Sequence, residues 1–361
     1  MVIAIDLTSL SYHLTGIERY AMCVSEQMLD VDQKNEYILI FRDSIYPVFG
    51  ERIDGKRIQA KICEGNNKLL FYQWVLPNAL RKIKADRYLF FAFTSPILFR
   101  RKGIYNTIHD MGAWDASESM KLFQKLYWRA TIRVAAQVSE GIVTVSNFSK
   151  RRIAAILKYP SEKISVIYSA VCGEIMNNSE ITFDQVKKEY HLPDKYIMTL
   201  STLEPRKNMK ILLEAYSEIR SRADFHLVLV GRNGWMMDEI LKKFDSDDYI
   251  HVTGFVKDEH VSLIYKHAIC FIFPSLYEGF GLPPVEALAM GTPVIASDAA
   301  SIPEILMERA TYFKSNDKNE LKQLLLKLCG VSDEMPHHLN TFQRENYNFR
   351  RSAEKMLELI S

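Results

Sequence analysis

Short apolar runs alternate with segments of helical period along most of this sequence. Residues 2–5 and 37–41 are continuous apolar runs of strand length, and apolar residues between positions 17 and 28 recur at the spacing of one helix face. The alternation resumes at residues 196–200 and reaches a run at residues 269–273 that contains two Ile and two Phe. Strands that alternate with helices in this way predict an α/β fold with parallel sheets.

The pattern forms two series of strands and helices, which fits a length of 361 residues. We expect a first domain at residues 1–172 and a second domain at residues 173–345. The join falls in a stretch after residue 172 that is rich in Gly, Asn and Ser. The last residues of the chain place Phe349, Ala353 and Met356 on one face, which predicts a closing helix.

One stretch of the second series, residues 274–295, combines a strand end, a glycine loop and a helix. We predict that the helix starts at Pro283 or Pro284, because proline is tolerated in the first turn. The glycines after Glu278 allow backbone N–H groups to face a ligand, and a loop that leads into a helix N-terminus suits an anion. Because Glu278 and Glu286 bracket this loop, we predict a phosphorylated ligand flanked by two carboxylates.

Arg206 and Lys207 lie in another loop between a strand end and a helix start. A guanidinium group can bind a diphosphate in a bidentate way, and an ammonium group acts as a point charge. A solvated surface pair is the alternative interpretation of this loop taken alone. Glu278 and Glu286 are too far apart in sequence to be assigned as an adjacent acid/base pair. Together the four residues predict an elongated ligand with a central diphosphate, which describes a nucleotide sugar.

Two positions in the first series also follow predicted strands. Gly16 lies at a strand–loop–helix turn, where a small residue either permits close approach of a phosphate or sugar or only serves the turn. His109 and Asp110 follow a predicted strand at residues 103–108, and ligands of open α/β sheets bind at such strand ends. Residues 121–138 predict a helix that mixes aromatic and basic side chains, which suits either a core helix or a membrane interface.

The segment from Glu278 to Glu286 resembles the E-x7-E motif of retaining glycosyltransferases of family 4, which have the GT-B fold. The similarity covers nearly the whole chain in the expected order. Further matching stretches are Thr15-Gly16-Ile17, Ile108-His109-Asp110, Thr144-Val145-Ser146-Asn147-Phe148-Ser149-Lys150, Leu203-Glu204-Pro205-Arg206-Lys207-Asn208, Thr253-Gly254-Phe255-Val256 and Ser301-Ile302-Pro303-Glu304. The resemblance implies two Rossmann-like domains whose parallel sheets face each other across a cleft, with a C-terminal helix at residues 346–361 that crosses back to the first domain.

The resemblance also implies roles for the charged residues. Glu278 is similar to the Glu that meets the hydroxyl groups of the donor sugar near the reacting carbon, and Glu286 is similar to the Glu that holds the ribose. Arg206 and Lys207 resemble the pair that stabilises the departing diphosphate. His109 resembles a residue on the acceptor side, near the sugar.

The other implied positions belong to the donor site. The implied donor-binding residues are Gly16 at the interdomain cleft, Phe280, Gly281 and Leu282 in the loop whose N–H groups meet sugar and phosphate, and Phe255, Val256 and Arg232 near the base. The chain departs from the family at two places. Ser201-Thr202 stands where many members have Gly-Arg, so one cation that faces the phosphate is missing, and Tyr168-Ser169-Ala170 replaces the usual Tyr-Asn-Gly.

The activity implied by the resemblance is retaining transfer of a hexose from a nucleotide-diphosphate sugar. The acceptor would be a saccharide or lipid-linked saccharide in cell-envelope polysaccharide synthesis. Arg206, Lys207 and the helix dipoles suit the negative charge of the departing diphosphate, so we expect no metal ion and no further cofactor. The D-x-D sequence at residues 245–247 lies in an acidic loop and does not alter that expectation.

Several alternatives stay open at this point. An epimerase of nucleotide sugars with the same fold, or a non-catalytic partner subunit of a glycosyltransferase complex, would share much of this sequence. The donor is open among GDP-mannose, dTDP-rhamnose and UDP-hexoses.

Composition adds limits on the surroundings of the protein. The sequence is 48% hydrophobic and 25% charged, shows no apolar run of membrane-span length, and predicts no signal peptide. The five cysteines are scattered, which favours a reduced, cytoplasmic setting. Residues 1–170 hold 24 Lys and Arg against 16 Asp and Glu, which fits either an anionic membrane surface or an uneven surface without function. The expected partners are therefore the donor, the acceptor and an anionic membrane surface met peripherally, with no nucleic acid.

Overall fold

The structure, a computed structural model, describes residues 1–11, 14–173, 181–202, 204–231, 247–330 and 347–361. The chain divides into two compact units, Met1–Ala170 with Tyr347–Ser361, and Val171–Asn346. The described strands of each unit form one parallel sheet. The predicted α/β class with parallel sheets is therefore confirmed.

The first unit contains a seven-stranded sheet in the order β3-β2-β1-β4-β5-β6-β7. The strands are β1 Val2–Asp6, β2 Glu36–Arg42, β3 Ile58–Cys63, β4 Arg87–Phe90, β5 Ile104–Thr107, β6 Gly141–Thr144 and β7 Ile164–Val166. Its helices are α1 Gly16–Val31, α2 Pro47–Gly50, α3 Lys68–Leu70, α4 Leu76–Lys82, α5 Gly112–Asp115, α6 Leu122–Val138, α7 Asn147–Leu157 and the C-terminal α14 Phe349–Ile360. Strand β1 lies centrally, and Ile5 pairs with Leu39 on one side and with Leu89 on the other.

The second unit contains a six-stranded sheet in the order β10-β9-β8-β11-β12-β13. The strands are β8 Tyr196–Leu200, β9 His226–Val230, β10 Ile250–Gly254, β11 Cys270–Phe273, β12 Val294–Ser297 and β13 Thr311–Phe313. Its helices are α8 Phe183–Glu189, α9 Met209–Ile219, α10 Asp258–His267, α11 Leu282–Met290, α12 Ile302–Leu306 and α13 Lys318–Leu328. All four residues of β11 are buried, because a parallel sheet is covered on both faces.

The C-terminal helix α14 belongs to the first unit. Asn348 caps its N-terminus by accepting a hydrogen bond from the Arg350 N–H. The ring of Phe349 lies 6.2 Å from that of Tyr20 on α1, and Ser352 Oγ donates to the carbonyl of Tyr168. The helix thus adds its buried face to the core around α1, as the predicted return to the first domain requires.

Three local features differ from the pattern of the sequence. Strand β3 is not apparent in the sequence, because it pairs only with β2 and most of its side chains are at least partly exposed. Strand β4 ends at Phe90, although apolar residues continue to Phe93, and the Phe91 carbonyl oxygen contacts the imidazole of His109. Helices α3 and α4 are joined by a π-helical turn at Phe71–Val75, and Pro77 lies in the first turn of α4.

Cys63, Cys270 and Cys329 are free thiols, whereas Cys23 and Cys172 are disulfide-bonded. These two cysteines differ from the reduced state that the scattered spacing favours. Among the described residues, no helix combines the length and the apolarity that a membrane span needs.

Candidate active site

The strand order of the second unit reverses between β8 and β11. From β8 the chain continues to β9 and β10 on one side, whereas β11, β12 and β13 lie on the other side. Loops that leave the carboxyl ends of two such strands diverge and open a crevice, which is where open α/β sheets bind ligands. After β8 the chain forms a 3₁₀ turn at Pro205–Lys207, and after β11 it forms the loop that leads to α11.

An ion cluster joins these two loops. Lys207 Nζ lies 2.6 Å from Glu278 Oε1, and Arg206 Nη1 lies 3.2 Å from Glu278 Oε2. Arg206 Nη1 also donates to the carbonyl of Tyr277 at 2.7 Å, and the Leu276 N–H donates to the Arg206 carbonyl. The structure therefore brings Glu278 into contact with Arg206 and Lys207, which lie more than 70 positions earlier in the sequence.

A second carboxylate orients the guanidinium group of Arg206. Glu204 Oε1 accepts hydrogen bonds from Nε and Nη2 of Arg206, at 3.1 and 2.8 Å. Asn208, with a positive φ of 54°, ends the turn and leads into α9. Two carboxylates and two cations thus balance in charge, and Glu204, Lys207 and Glu278 are all buried.

The cluster keeps Glu278 ionised. Burial alone would raise the pKa of Glu278, but the charges of Lys207 and Arg206 outweigh it and lower the pKa to about 2. Burial lowers the pKa of Lys207, and the neighbouring Arg206 adds to that effect, while Glu278 opposes it. At neutral pH the arrangement is a buried ion pair whose carboxylate oxygens face cations.

The loop after β11 is pinned at its backbone. Gly281 has a φ of +90°, a conformation that favours glycine, and it immediately precedes the first residue of α11. Ser301 Oγ donates to the carbonyl of Glu278 at 3.0 Å. Helix α11 starts at Leu282, one residue before the first predicted start, so Phe280, Gly281 and Leu282 lie at its N-terminus, where backbone N–H groups suit an anion.

Glu286 has other partners. It lies on the buried side of α11, and Tyr265 Oη on α10 donates to its Oε2 at 3.2 Å. Thr292 Oγ1 donates in turn to the Tyr265 carbonyl at 2.6 Å. The carboxylate of Glu286 is therefore positioned by a buried tyrosine from the neighbouring helix.

Two of the predicted base-binding residues, Phe255 and Val256, directly follow β10. Phe255 is 44% exposed, whereas Val256 is buried. Gly231 packs so closely against Ser201 that an added Cβ would lie 1.9 Å from the Ser201 carbonyl oxygen. Arg232 lies outside the described residues, as do positions 245 and 246 of the D-x-D sequence.

The first unit carries the other two predicted site residues. Gly16 is the first residue of α1, where the Glu18 carboxylate accepts from the Thr15 N–H. His109 Nε2 lies 2.8 Å from the Phe91 carbonyl oxygen, and its ring meets that of Tyr20 edge to face. Burial lowers the pKa of His109, although the Phe91 carbonyl and Asp110 oppose the shift.

Sequence reasoning missed the role of three residues of the second-unit site. Glu204 holds Arg206, Tyr265 holds Glu286, and Ser301 holds the backbone of Glu278. Glu204 and Ser301 stand in the stretches that carried the resemblance, but nothing in the sequence indicates which group each one holds. Tyr265 had no signal, because it lies inside an ordinary amphipathic helix. Within the described ranges, no group of three or more His, Cys, Asp and Glu is arranged to hold a metal ion.

Comparison with known proteins agrees with this architecture. The family described as "Glycosyl transferases group 1" matches residues 181–345. The O-antigen chain mannosyltransferase B of Escherichia coli is 27% identical over 336 residues, which is 88% of each chain. The O-antigen chain mannosyltransferase RfbU of Salmonella typhimurium is 29% identical over 262 residues, covering 70% of this chain and 67% of the relative. The crystal structure of Anabaena Alr3699/HepE in complex with UDP and glucose has a TM-score of 0.72 at 14% identity, covering 99% of this chain and 98% of that one.

The two parallel-sheet units and the structural likeness show the GT-B fold. Residues 181–345, which hold the cluster of Arg206, Lys207 and Glu278, match the glycosyl transferases group 1 family. Together with the two mannosyltransferase relatives, this match supports a glycosyltransferase.

Proposed function

We propose that this protein is a retaining glycosyltransferase of family 4, which transfers a hexose from a nucleotide-diphosphate sugar to a saccharide or lipid-linked saccharide acceptor. The observation that carries the proposal is the buried cluster of Arg206, Lys207 and Glu278 at the point where the strand order reverses. A diphosphate needs cations and backbone N–H groups, and a reacting sugar needs a carboxylate. The second unit offers all of these at the ends of β8 and β11.

The reaction separates charge. As the bond to the anomeric carbon breaks, the sugar becomes positive and the diphosphate negative. Arg206, Lys207 and the N-terminus of α11 are fixed in place to stabilise the diphosphate, so the transfer does not depend on a metal ion. Because its pKa is about 2, Glu278 is ionised at neutral pH. The carboxylate can therefore accept hydrogen bonds from sugar hydroxyl groups while it stabilises the positive charge.

The neutral charge balance of the cluster sets an order of events. Glu278 pairs with both Arg206 and Lys207, the cations that the proposal assigns to the diphosphate. An arriving diphosphate competes with Glu278 for Arg206 and Lys207, and the released carboxylate then turns to the sugar. Glu204 keeps hold of Arg206 throughout, because it uses Nε and Nη2 rather than Nη1.

The remaining predicted residues complete the donor site. In this proposal Glu286, held by Tyr265, binds the ribose hydroxyl groups, and Phe255 and Val256 bind the base. The loop at Phe280, Gly281 and Leu282 offers N–H groups to sugar and phosphate. Gly16 and His109, both in the first unit, keep the roles that the resemblance implies, a donor contact for Gly16 and an acceptor-side role for His109.

Mannose is the first sugar to test, because both curated relatives described above are named mannosyltransferases of O-antigen chains. The same names favour an envelope polysaccharide as the acceptor. GDP-mannose therefore comes first among the three donor classes, ahead of dTDP-rhamnose and UDP-hexoses.

A donor screen tests the proposal. A donor that binds only the folded chain stabilises it and raises its melting temperature. At a donor concentration of a hundred times Kd, the free energy of unfolding rises by about 2.7 kcal/mol. The shifted donor is then incubated with chelator, with and without a lipid-linked saccharide acceptor, and the products are analysed by mass spectrometry and NMR. We expect transfer with retained anomeric configuration. Conversion of the donor without acceptor would instead identify an epimerase, and failure of every donor to bind would support a non-catalytic subunit.

A further inference from the structure

The imidazole of His109 has a fixed place in the first unit. Its backbone follows β5, and two hydroxyl groups hold this segment. Thr144 Oγ1 donates to the Ile108 carbonyl at 2.7 Å, and Ser149 Oγ donates to the His109 carbonyl at 2.9 Å. The side chain is half-buried, and its Nε2 lies 2.8 Å from the Phe91 carbonyl oxygen. The ring is therefore held both at its backbone and at its tip.

The partner of Nε2 decides which ring nitrogen carries a proton. A carbonyl oxygen can only accept a hydrogen bond, so Nε2 of His109 is the protonated nitrogen in its contact with Phe91. In a neutral imidazole the other nitrogen, Nδ1, then has a lone pair and can only accept. In the ranges that the structure describes, no residue donates a hydrogen bond to Nδ1.

The surroundings keep the imidazole neutral. Burial is the largest effect on the pKa of His109 and lowers it, while the Phe91 carbonyl and the nearby Asp110 oppose the shift. Tyr20, which packs on the ring, adds no charge, because burial raises the pKa of its hydroxyl group and this group donates to the Ile167 carbonyl. At neutral pH the ring therefore carries one proton, at Nε2.

Tyr20 contacts both partners of this hydrogen bond. Its ring meets the imidazole of His109 edge to face at 5.2 Å and meets the Phe91 ring edge to face at 6.3 Å. Tyr20 is itself buried, and the Phe349 ring of α14 lies 6.2 Å from it. A turn of the imidazole by 180° would put a C–H group in the place of Nε2 and remove the hydrogen bond to Phe91, so the observed orientation is favoured.

We propose that Tyr20 and the Phe91 carbonyl hold His109 as the neutral Nε2–H tautomer, so that Nδ1 accepts a hydrogen bond from a hydroxyl group of the saccharide acceptor. Tyr20 is a positioning residue, because it acts through His109. The identity of the ligand rests on the proposed function, whereas the state of the ring rests on the first unit alone. In this state His109 offers the substrate neither a cation nor a free proton.

Nitrogen NMR of the full chain with isotope-labelled histidine tests the state of the ring. Two-bond proton–nitrogen correlations distinguish a protonated ring nitrogen from an unprotonated one, and His109→Gln assigns the His109 signals by their loss. We expect a protonated Nε2 and an unprotonated Nδ1, with most of the population still neutral at pH 6.5, the ordinary pKa of histidine. A protonated Nδ1 at neutral pH would overturn the proposal.

A soluble saccharide tests the hydrogen bond at Nδ1. Methyl α-mannoside is the probe, because the two relatives described above are named mannosyltransferases of O-antigen chains. We expect the probe to shift the Nδ1 signal of His109 and to leave the Nε2 signal nearly in place. An Nδ1 signal that does not move at any probe concentration would overturn the proposal. Neither NMR measurement needs turnover, so both decide this inference even where the proposed transferase reaction fails.

Tyr20→Leu tests the positioning role. Without the ring edge the imidazole can turn, so we expect altered or doubled His109 signals and a smaller response to the probe. Tyr216→Leu is the matched control, because Tyr216 is also buried and donates to a carbonyl, that of Phe225, in the second unit. Circular dichroism establishes that both variants are folded. Equal His109 signals in the two variants would show that Tyr20 does not position the ring.

Two substitutions of His109 test the same point by kinetics. The side-chain amide of Asn reaches the place of Nδ1, whereas the longer Gln reaches the place of Nε2. With methyl α-mannoside as acceptor, His109→Gln should raise the acceptor KM about fivefold, as expected for the loss of one hydrogen bond, and leave the donor KM unchanged. His109→Asn should restore most of this loss. Equal losses in the two variants, or the opposite order, would contradict acceptance at Nδ1.

Discussion

Each unit has a buried carboxylate next to the point where the strand order of its sheet reverses. The two carboxylates differ in the charge of their partners. In the first unit the strand order reverses at β1, and Asp6 is the last residue of that strand. Its oxygens accept hydrogen bonds from Thr8 N, Thr8 Oγ1 and Tyr72 Oη. In the second unit the order reverses at β8, and Glu278, after the neighbouring β11, meets Arg206 and Lys207 instead.

The partners shift the pKa values of the two carboxyl groups in opposite directions. Burial raises the pKa of Asp6, and its hydrogen bonds offset only part of that effect. Burial acts in the same direction on Glu278, but two cations reverse it. A topological switch point thus concentrates polar side chains, while the charge of the partners decides what they can do. Under the proposed function, these cations are the groups that stabilise a charged substrate in the second unit.

Glu278→Gln should have the largest effect. The amide keeps the size of the side chain but removes the charge that stabilises the sugar, so we expect transfer to fall roughly 10²- to 10³-fold. The measurement is the transfer rate at saturating donor and acceptor. Glu218→Gln is the matched control, because Glu218 also pairs with two lysines, Lys318 and Lys322, in an exposed position of the same unit. Normal turnover of Glu278→Gln would refute the role of this carboxylate.

The pH dependence of stability should separate Glu278 from Asp6. The folded pKa of Glu278, about 2, lies below the ordinary value of 4.5, so its contribution to stability is complete above pH 4.5 and is lost as the pH falls towards 2. The shift corresponds to about 3 kcal/mol. Asp6 has a raised pKa, so the wild type gains stability relative to Asp6→Asn as the pH falls through that value.

Chemical denaturation of the wild type, Glu278→Gln and Asp6→Asn from neutral to acidic pH measures both contributions. The difference between wild type and Glu278→Gln should shrink with falling pH, and the difference between wild type and Asp6→Asn should change in the opposite direction. Parallel slopes for the two variants would show that the partners do not distinguish the two carboxylates.

Arg206→Lys should have the next largest effect. A lysine keeps the charge but cannot bind Glu204 through two nitrogens while a third contacts Tyr277 and Glu278. Charge-assisted hydrogen bonds contribute roughly 1.5–3 kcal/mol each, so losing one should lower kcat/KM about ten- to a hundredfold. Steady-state kinetics measure this loss. Arg220→Lys is the matched control. It alters a partly exposed arginine–aspartate pair of the same unit, Arg220 with Asp247, and should leave kcat/KM near the wild-type value.

Much of the second-unit site could be predicted, because its signals are local. Apolar runs predict β8 and β11, and the charged residues Arg206, Lys207 and Glu278 stand in the loops that follow these strands. Their direct contact was not predictable from spacing, since it depends on β8 and β11 being neighbours in the sheet. The role of Tyr265 could not be predicted either, because its hydroxyl reaches Glu286 only through the packing of α10 on α11.

The first unit offered weaker signals. Its switch point holds a neutralisable carboxylate, a buried imidazole and tyrosine hydroxyl groups, which in sequence look like ordinary core residues. In the sequence, Asp6 is only a polar residue after the apolar run at residues 2–5, and Tyr72 carries no local signal of a role. The hydrogen bond from Tyr72 Oη to Asp6 comes from the π-helical turn at Phe71–Val75, and this turn has no clear sequence pattern.

Two tyrosine variants give the smallest and most specific test of the comparison. Tyr265 Oη donates to Glu286, and Tyr72 Oη donates to Asp6 and to the Thr94 carbonyl. Tyr265→Phe removes one hydrogen bond that positions the proposed ribose-binding carboxylate, which is worth about 1 kcal/mol, so we expect the donor KM to rise about fivefold. Because Glu286 lies away from the reacting carbon in this scheme, kcat should change less than about twofold.

Tyr72→Phe removes a hydroxyl of the same kind from the first unit and should leave the donor KM unchanged. Initial rates over a range of donor concentrations, at saturating acceptor, distinguish the two variants. A donor KM that rises equally in both would mean that the hydroxyl groups act through general stability, and the assignment of donor binding to the second unit would lose this support. A rise in Tyr265→Phe alone ties Glu286 to the donor through its partner, without changing the carboxylate itself.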